Sequence, residues 1–224
     1  PGEPQALLIV EFSGQTETEL LPRLQDLETL MADIGWPDAV VKVTDPGIQR
    51  RVWGVREAGL NIVMAMTGDA KPVSVIEDCA IPLEHLADFT DRLTELFNRH
   101  GSSGTWYAHA SVGLLHVRPI LNMKTAEGAK KLRAIAEEAF AIVAEYEGSH
   151  SGEHGDGKVR SEFIETMQGS RLARAFEEIK DKFDPENRFN PGNIVHPPKL
   201  DDRGLMRFKP GYGPKPFEPG LDWS

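Results

Sequence analysis

Thr105-Trp106-Tyr107-Ala108-His109-Ala110-Ser111-Val112-Gly113-Leu114-Leu115-His116-Val117-Arg118 reads as two short strands folded back on each other. Its aromatic and β-branched residues suit a pleated, half-buried surface, and Val112-Gly113 supplies a place to turn. If those two residues form the loop, Ser111 faces Leu114, Ala110 faces Leu115 and His109 faces His116. Directly opposed residues share a face, with Cβ atoms roughly 4.5–5.5 Å apart. On one straight strand the odd separation of the two histidines would instead put them on opposite faces. The hairpin thus lets two ring nitrogens converge on one ion, each about 2.0–2.1 Å away if that ion is zinc. Val112 is the weak point, because a β-branched residue resists the positive φ of a tight primed turn; a wider turn would keep the idea and loosen the register.

Further along, Ser151-Gly152-Glu153-His154-Gly155-Asp156-Gly157 adds a carboxylate, a third imidazole and glycines that let backbone approach a ligand. His109, His116 and Glu153 make a three-ligand metal set, with His154 beside it as a general base. Each part also has a plainer meaning. The two histidines suit a structural cross-strand pair, Glu153-His154 a loop pair or helix cap, and Gly155 and Gly157 simple turn geometry. Arg118, Lys158 and Arg160 are runner-up anion binders, with surface charge the first reading of each. His100, His150 and His196 have no evident partners and read as solvent-facing.

Working outward, Ala6-Leu7-Leu8-Ile9-Val10-Glu11-Phe12 predicts a core strand, residues 17–34 an amphipathic helix, and Ala39–Val43 a second strand. Residues 48–66 predict a helix carrying Arg56. Val73–Asp78 alternates with the strand period, and Pro82 opens a helix running to about Asn98. Residues 125–146 form the strongest helical pattern, with Leu132, Ile135, Ala139, Ile142, Val143 and Tyr146 on one stripe. Shorter helices follow at 161–167 and 170–183, the latter with Leu172, Phe176, Ile179 and Phe183 on one side. Asn190-Pro191-Gly192 is a turn. From Asp201 onward the Pro- and Gly-rich composition predicts a tail or linker that wraps on a surface or leads to a further domain. The expected fold class is α+β, an antiparallel sheet with helices packed on one face, occupying residues 1–200.

With 224 residues and a formal net charge of -10, the chain can bury a real core but lacks the basic face that nucleic acid requires. Apolar residues at 40% and charged residues at 27% exclude a disordered or membrane-embedded class. Cys79 has no intramolecular partner, which fits a reducing, cytoplasmic setting. The chain begins without Met in a polar stretch leading straight into a strand-like run, so it is expected to be a piece of something longer. No G-x-G-x-x-G turn or Walker loop offers a phosphate cradle.

Taken together, 108–116, 151–157 and Asn190-Pro191-Gly192 resemble the C-terminal domain of FAD-linked oxidases, a family that includes D-lactate and D-2-hydroxyglutarate dehydrogenases and the glycolate oxidase D subunit. Gly68-Asp69-Ala70-Lys71-Pro72-Val73, Glu77-Asp78 and Leu115-His116-Val117-Arg118-Pro119 look more like large fused members that also carry an iron–sulphur region. The resemblance implies that this domain closes over FAD held mostly by a separate N-terminal domain. It also implies His109, His116 and Glu153 as ligands of a divalent metal, with zinc expected, and His154 as base for the substrate hydroxyl. Arg56 would bind a substrate carboxylate, and Gly155, Gly157 and Asn190 would lie against the flavin. Implied partners are a small 2-hydroxy acid, D-2-hydroxyglutarate before D-lactate or glycolate, and the FAD-binding domain; a 4Fe-4S cluster would sit elsewhere in the parent. The chain departs from the family where Val112-Gly113-Leu114 replaces Asp-Gly-Asn and where Asn193 replaces a lysine, which bears on substrate identity. The alternative is a non-catalytic metal-binding or interaction module of a larger redox assembly.

Overall fold

Hydrophobic periodicity at 17–34 and 48–66 becomes two helices, α1 (Glu17–Asp33) and α2 (Pro46–Met64). Helix α2 starts two residues early because the Asp45 carboxylate accepts from the Ile48 N–H at 2.7 Å, and Pro46 suits the first turn. The computed structural model describes residues 4–213 and 220, and divides into two compact units, 1–60 and 61–224. In the first unit neither expected strand forms: 6–12 and 39–43 are irregular, and Leu7 and Leu8 are 84% and 73% exposed. Strand propensity describes what a segment can do once a neighbour receives its backbone hydrogen bonds; no such ladder forms here.

The second unit continues with β1 (Lys71–Pro72), β2 (Cys79–Ala80), α3 (Leu86–Arg99), β3 (Gly104–Thr105), β4 (Ala108–His109), β5 (Leu114–Leu115), β6 (Arg118–Leu121) and α4 (Ala126–Glu145). Then come α5 (Gly157–Arg160), α6 (Ile164–Gln168) and α7 (Ser170–Phe183). The strands form two small antiparallel sheets, ordered β1-β6-β3 and β2-β5-β4. The fold is α+β as expected, with the sheet split in two. Val73–Asp78 is the seam: it bends and turns rather than running extended, and Asp78 sits at φ 86°.

Helices α3 and α4 close the core. Phe89, Leu93, Leu96 and Phe97 from α3 meet Leu132, Ile135, Ala139, Phe140 and Val143 from α4, all buried with strand residues Cys79, Leu115 and Leu121 and with Val117 between β5 and β6. Each large apolar side chain removed from water contributes roughly 1.5–3 kcal/mol before the entropy of ordering is subtracted. The Thr125 hydroxyl caps α4, accepting from the Gly128 N–H at 3.0 Å. Helix α7 behaves differently. Its apolar stripe lies on the surface, with Leu172, Ile179 and Phe183 exposed. Residues 199–212 pack on the second unit: Arg133 pairs with Asp201 at 2.6 Å, and Leu200 and Met206 join the edge of the core. No helix among the described residues is long and apolar enough to cross a membrane.

Candidate metal and acid–base site

The pairing register differs from the expected one by two residues. Ala108 faces Leu115 and His109 faces Leu114, so the connection is four residues long, a 3-10 turn at 110–112 followed by Gly113. Gly113 takes φ 70°, and a Cβ there would come within 2.0 Å of the Ile81 carbonyl oxygen. That oxygen's neighbour, the Ile81 N–H, donates to Gly113 O at 2.9 Å, clamping the turn against the rest of the sheet. A shift of two preserves side-chain parity. Cys79, Leu115 and Ala108 line one row toward the core, so His109 and His116 both point to the other face. They are now diagonal neighbours, with ring centroids 5.2 Å apart.

The glycine-flanked loop arrives along the opposite edge of the same sheet. Ser149 and Ala80 exchange backbone hydrogen bonds at 2.9 Å each, and the Gly152 N–H donates to Asp78 O at 2.7 Å. A Cβ at Gly152 would lie 2.3 Å from Leu114 Cδ1, so any side chain there would have to displace Leu114. Glu153 and His154 are thereby carried over the two imidazoles. Glu153 Oε1 lies 3.0 Å from His116 Nε2, 3.4 Å from His154 Nε2 and 3.6 Å from His109 Nε2. The His116 and His154 rings stack, 13° from parallel with centroids 5.0 Å apart. Asp78, His116, Glu153 and His154 offer ligand atoms all within 4.8 Å of one another.

Donors held tetrahedrally at about 2.0–2.2 Å from zinc stand roughly 3.3–3.6 Å apart, close to the 3.0, 3.4 and 3.6 Å that separate the three nitrogens from Glu153 Oε1. The mutually close group is nevertheless Asp78, His116, Glu153 and His154; the expected ligand His109 falls outside it. His116 is buried, and its Nδ1 has no hydrogen-bond partner among the described residues. Burial holds the His116 pKa below the usual imidazole value; the nearby His154 and His109 add to this, while Glu153 opposes it. The shift favours the neutral ring, the form that binds metal.

Two neighbours were not anticipated. Asp78 is fully buried and accepts from the Glu153 N–H, the His154 N–H and the Ser151 hydroxyl at 2.9, 2.9 and 3.1 Å. Burial pushes its pKa up, but those hydrogen bonds and the Arg160 charge outweigh it and hold the carboxyl below its ordinary range. The only hint in the sequence is an acidic doublet, Glu77-Asp78, ending an apolar run. Tyr107 is the second: its carbonyl accepts from the His116 N–H at 2.6 Å, and its ring lies 5.8 Å from the His116 ring.

Other candidates sort differently. Arg160 is no surface anion binder: it is buried, donates to Glu77 O at 3.1 Å and to Gly155 O, and stands 3.6 Å from Asp78 Oδ2. Arg118 pairs with Glu77 and donates to Ser74 Oγ at 3.2 Å, whereas Lys158 is exposed. His150 is buried rather than solvent-facing, edge-on to Phe140 with Nε2 3.2 Å from Asp156 Oδ1. His100 is also partnered, 2.6 Å from Glu138 Oε1, and His196 stays half-exposed beside Asp181. Gly155 and Gly157 have positive φ with no atom within 4 Å of a would-be Cβ, so the loop backbone is open to a flat ligand. Asn190 is exposed at φ 45°, its carbonyl accepting from the Asn193 N–H at 3.2 Å. Arg56 lies in the first unit on α2, its guanidinium 5.3 Å over the Trp53 ring.

Comparison with known proteins gives the same direction. Residues 1–194 match the family model described as FAD linked oxidases, C-terminal domain. The chain is 34% identical over 208 residues to the D-2-hydroxyglutarate dehydrogenase of Escherichia coli (strain K12), covering 89% of this chain and 20% of that protein. It is 27% identical over 194 residues to the D-lactate dehydrogenase of Anaerostipes hadrus, covering 85% and 39% respectively. Glycolate oxidase subunit GlcD of Bacillus subtilis (strain 168) is 25% identical over 194 residues, with 87% and 40% covered. The chain thus spans about a fifth of the length of the D-2-hydroxyglutarate dehydrogenases it matches.

Proposed function

The chain belongs to the FAD-linked oxidase family as its C-terminal domain, and from that premise we propose that it is the substrate- and metal-binding part of an FAD-dependent 2-hydroxy acid dehydrogenase. D-2-hydroxyglutarate is the favoured substrate, since four relatives matched over most of this chain at 30–35% identity carry that name. D-lactate and glycolate follow. The observation that carries the proposal is the convergence of three imidazole nitrogens on one oxygen of Glu153.

His109, His116 and Glu153 would hold the ion, which when bound supplies Lewis acidity that acidifies and orients a hydroxyl. His154 would take the hydroxyl proton at Nε2. Its ring is 47% exposed, so substrate can reach it, whereas His116 is sealed beneath. Imidazole is the side chain suited to taking up and releasing a proton near neutral pH. Arg56 would grip the substrate carboxylate in a bidentate pair. FAD, held mainly by another domain of the parent, supplies the hydride acceptor. The open backbone at Gly155 and Gly157, with Asn190, is proposed to face it. Any 4Fe-4S cluster needs several thiolates and would be ligated outside this stretch, whose one cysteine is buried. A reduced Cys79 is compatible with the cytoplasm, the proposed compartment.

Elemental analysis of the purified chain with and without His109→Ala tests the metal assignment. Stoichiometric zinc or another divalent ion, lost in the variant, is expected. Unchanged metal content in the variant would remove His109 from the ligand set. In the full-length parent, His154→Ala should abolish turnover while metal is retained; full turnover would leave a metal-binding module without chemistry.

A further inference from the structure

We propose that Asp78 is a positioning residue that sets the distance between the two ligand-bearing segments, resting on the metal-site assignment above. Its backbone is bound to the segment that leads into His116: the Asp78 N–H donates to Leu115 O at 2.9 Å, one residue before that histidine. Its side chain belongs to the loop. Oδ1 accepts from the Glu153 N–H and Oδ2 from the His154 N–H, each at 2.9 Å, and Ser151 Oγ donates to Oδ2 at 3.1 Å. The Asp78 carbonyl accepts from the Gly152 N–H at 2.7 Å as well. One residue therefore ties the segment bearing His116 to the backbone of both Glu153 and His154.

Asp78 stands close enough to the imidazoles to be taken for a ligand itself. Its lone pairs argue otherwise. A carboxylate has about four acceptor sites; three are filled by the Glu153 N–H, the His154 N–H and the Ser151 hydroxyl, and the Arg160 guanidinium 3.6 Å away balances the charge. Two backbone N–H groups meeting two oxygens also require a carboxylate. An asparagine would turn an NH2 group against one of those donors, leaving a buried donor facing a donor. The loop segment carrying that donor would swing away, and the Glu153 or His154 side chain with it.

The test is cobalt(II) and zinc(II) titration of the metal-free 224-residue chain, wild type against Asp78→Asn, read by visible absorption and by competition with a chelator. Loss of such an outer support lowers metal affinity by roughly 10–100-fold. That drop is expected with far-UV circular dichroism unchanged. Ile135→Val, a remote core change, serves as the control for general loosening and should retain wild-type affinity. Equal affinity in Asp78→Asn and wild type would overturn the proposal, as would a matching loss in Ile135→Val. A loss as complete as that of His116→Ala would make Asp78 a ligand and overturn it too. Amide exchange in metal-free wild type judges the same claim without metal and without a variant. Slow exchange at Glu153 and His154 supports it; fast exchange at both overturns it. If wild type binds neither ion, the metal assignment fails, and amide exchange alone then decides whether Asp78 holds the loop.

Discussion

Gly113→Ala should damage the protein more than a turn glycine ordinarily would. At φ 70° an L-residue costs about 1–2 kcal/mol relative to glycine. The new Cβ would also lie 2.0 Å from Ile81 O, a backbone atom that cannot rotate away. Relieving that overlap means moving Ile81, and so breaking its N–H hydrogen bond to Gly113 O, worth about 0.5–1.5 kcal/mol. The sum, with residual strain, is roughly 2–4 kcal/mol, a sizeable share of the 5–15 kcal/mol typical of a domain. Gly101→Ala isolates the conformational part: φ is 61°, and the nearest atom to a new Cβ is the flexible Lys131 Nζ at 3.8 Å. Urea unfolding of both variants is the assay, read at constant m. Gly113→Ala should cost clearly more than Gly101→Ala, and its metal affinity should fall because the turn joins the two imidazole-bearing strands. Equal destabilisation of the two variants would refute the close-approach argument.

Thr125→Ala removes the cap of α4 and should cost about 1 kcal/mol in the same unfolding assay. The Cys79 thiol, buried and pushed up to about 12 by loss of solvent, should resist iodoacetamide in the native protein and react once the chain is unfolded in urea. Burial depresses both His116 and His150, so below about pH 6.5 the unfolded chain takes up protons that the folded one refuses. The metal-free protein should therefore lose thermal stability as pH falls through that value, until the folded-state pKa values are reached. A melting temperature flat across that window would contradict the burial assigned to the two rings.

The histidine hairpin was legible because parity is robust. A register error of two residues left His109 and His116 on one face, where an error of one would have separated them. The long helix at α4 was equally plain, since its apolar stripe occurs in the sequence; that Thr125 caps it came only from the structure. What stayed hidden depends on partners that no local pattern encodes. Nothing near Asp78 announces three donors arriving from residues 151–154, and nothing near His150 announces Phe140 and Asp156. The stripe on α7 reads as helical from its spacing, yet spacing cannot say whether anything covers it. Residues 6–12 and 39–43 have strand composition and find no ladder. Arg160 looked like surface charge because burial of a guanidinium needs carbonyls and a carboxylate that are distant in sequence.

The bridge between Ala80 and Ser149 has a thermodynamic corollary. It delivers Glu153 to imidazoles 37 and 44 residues earlier in the sequence, which the unfolded chain keeps far away. An ion that needs all of these donors recognises the folded chain and not the extended one. Its chemical potential is then a handle on folding itself: saturating to a hundredfold excess over the dissociation constant shifts the equilibrium by about 2.7 kcal/mol. If the proposed site takes up a divalent ion, scarcity of that ion and heat would thus act on this protein as a single stress.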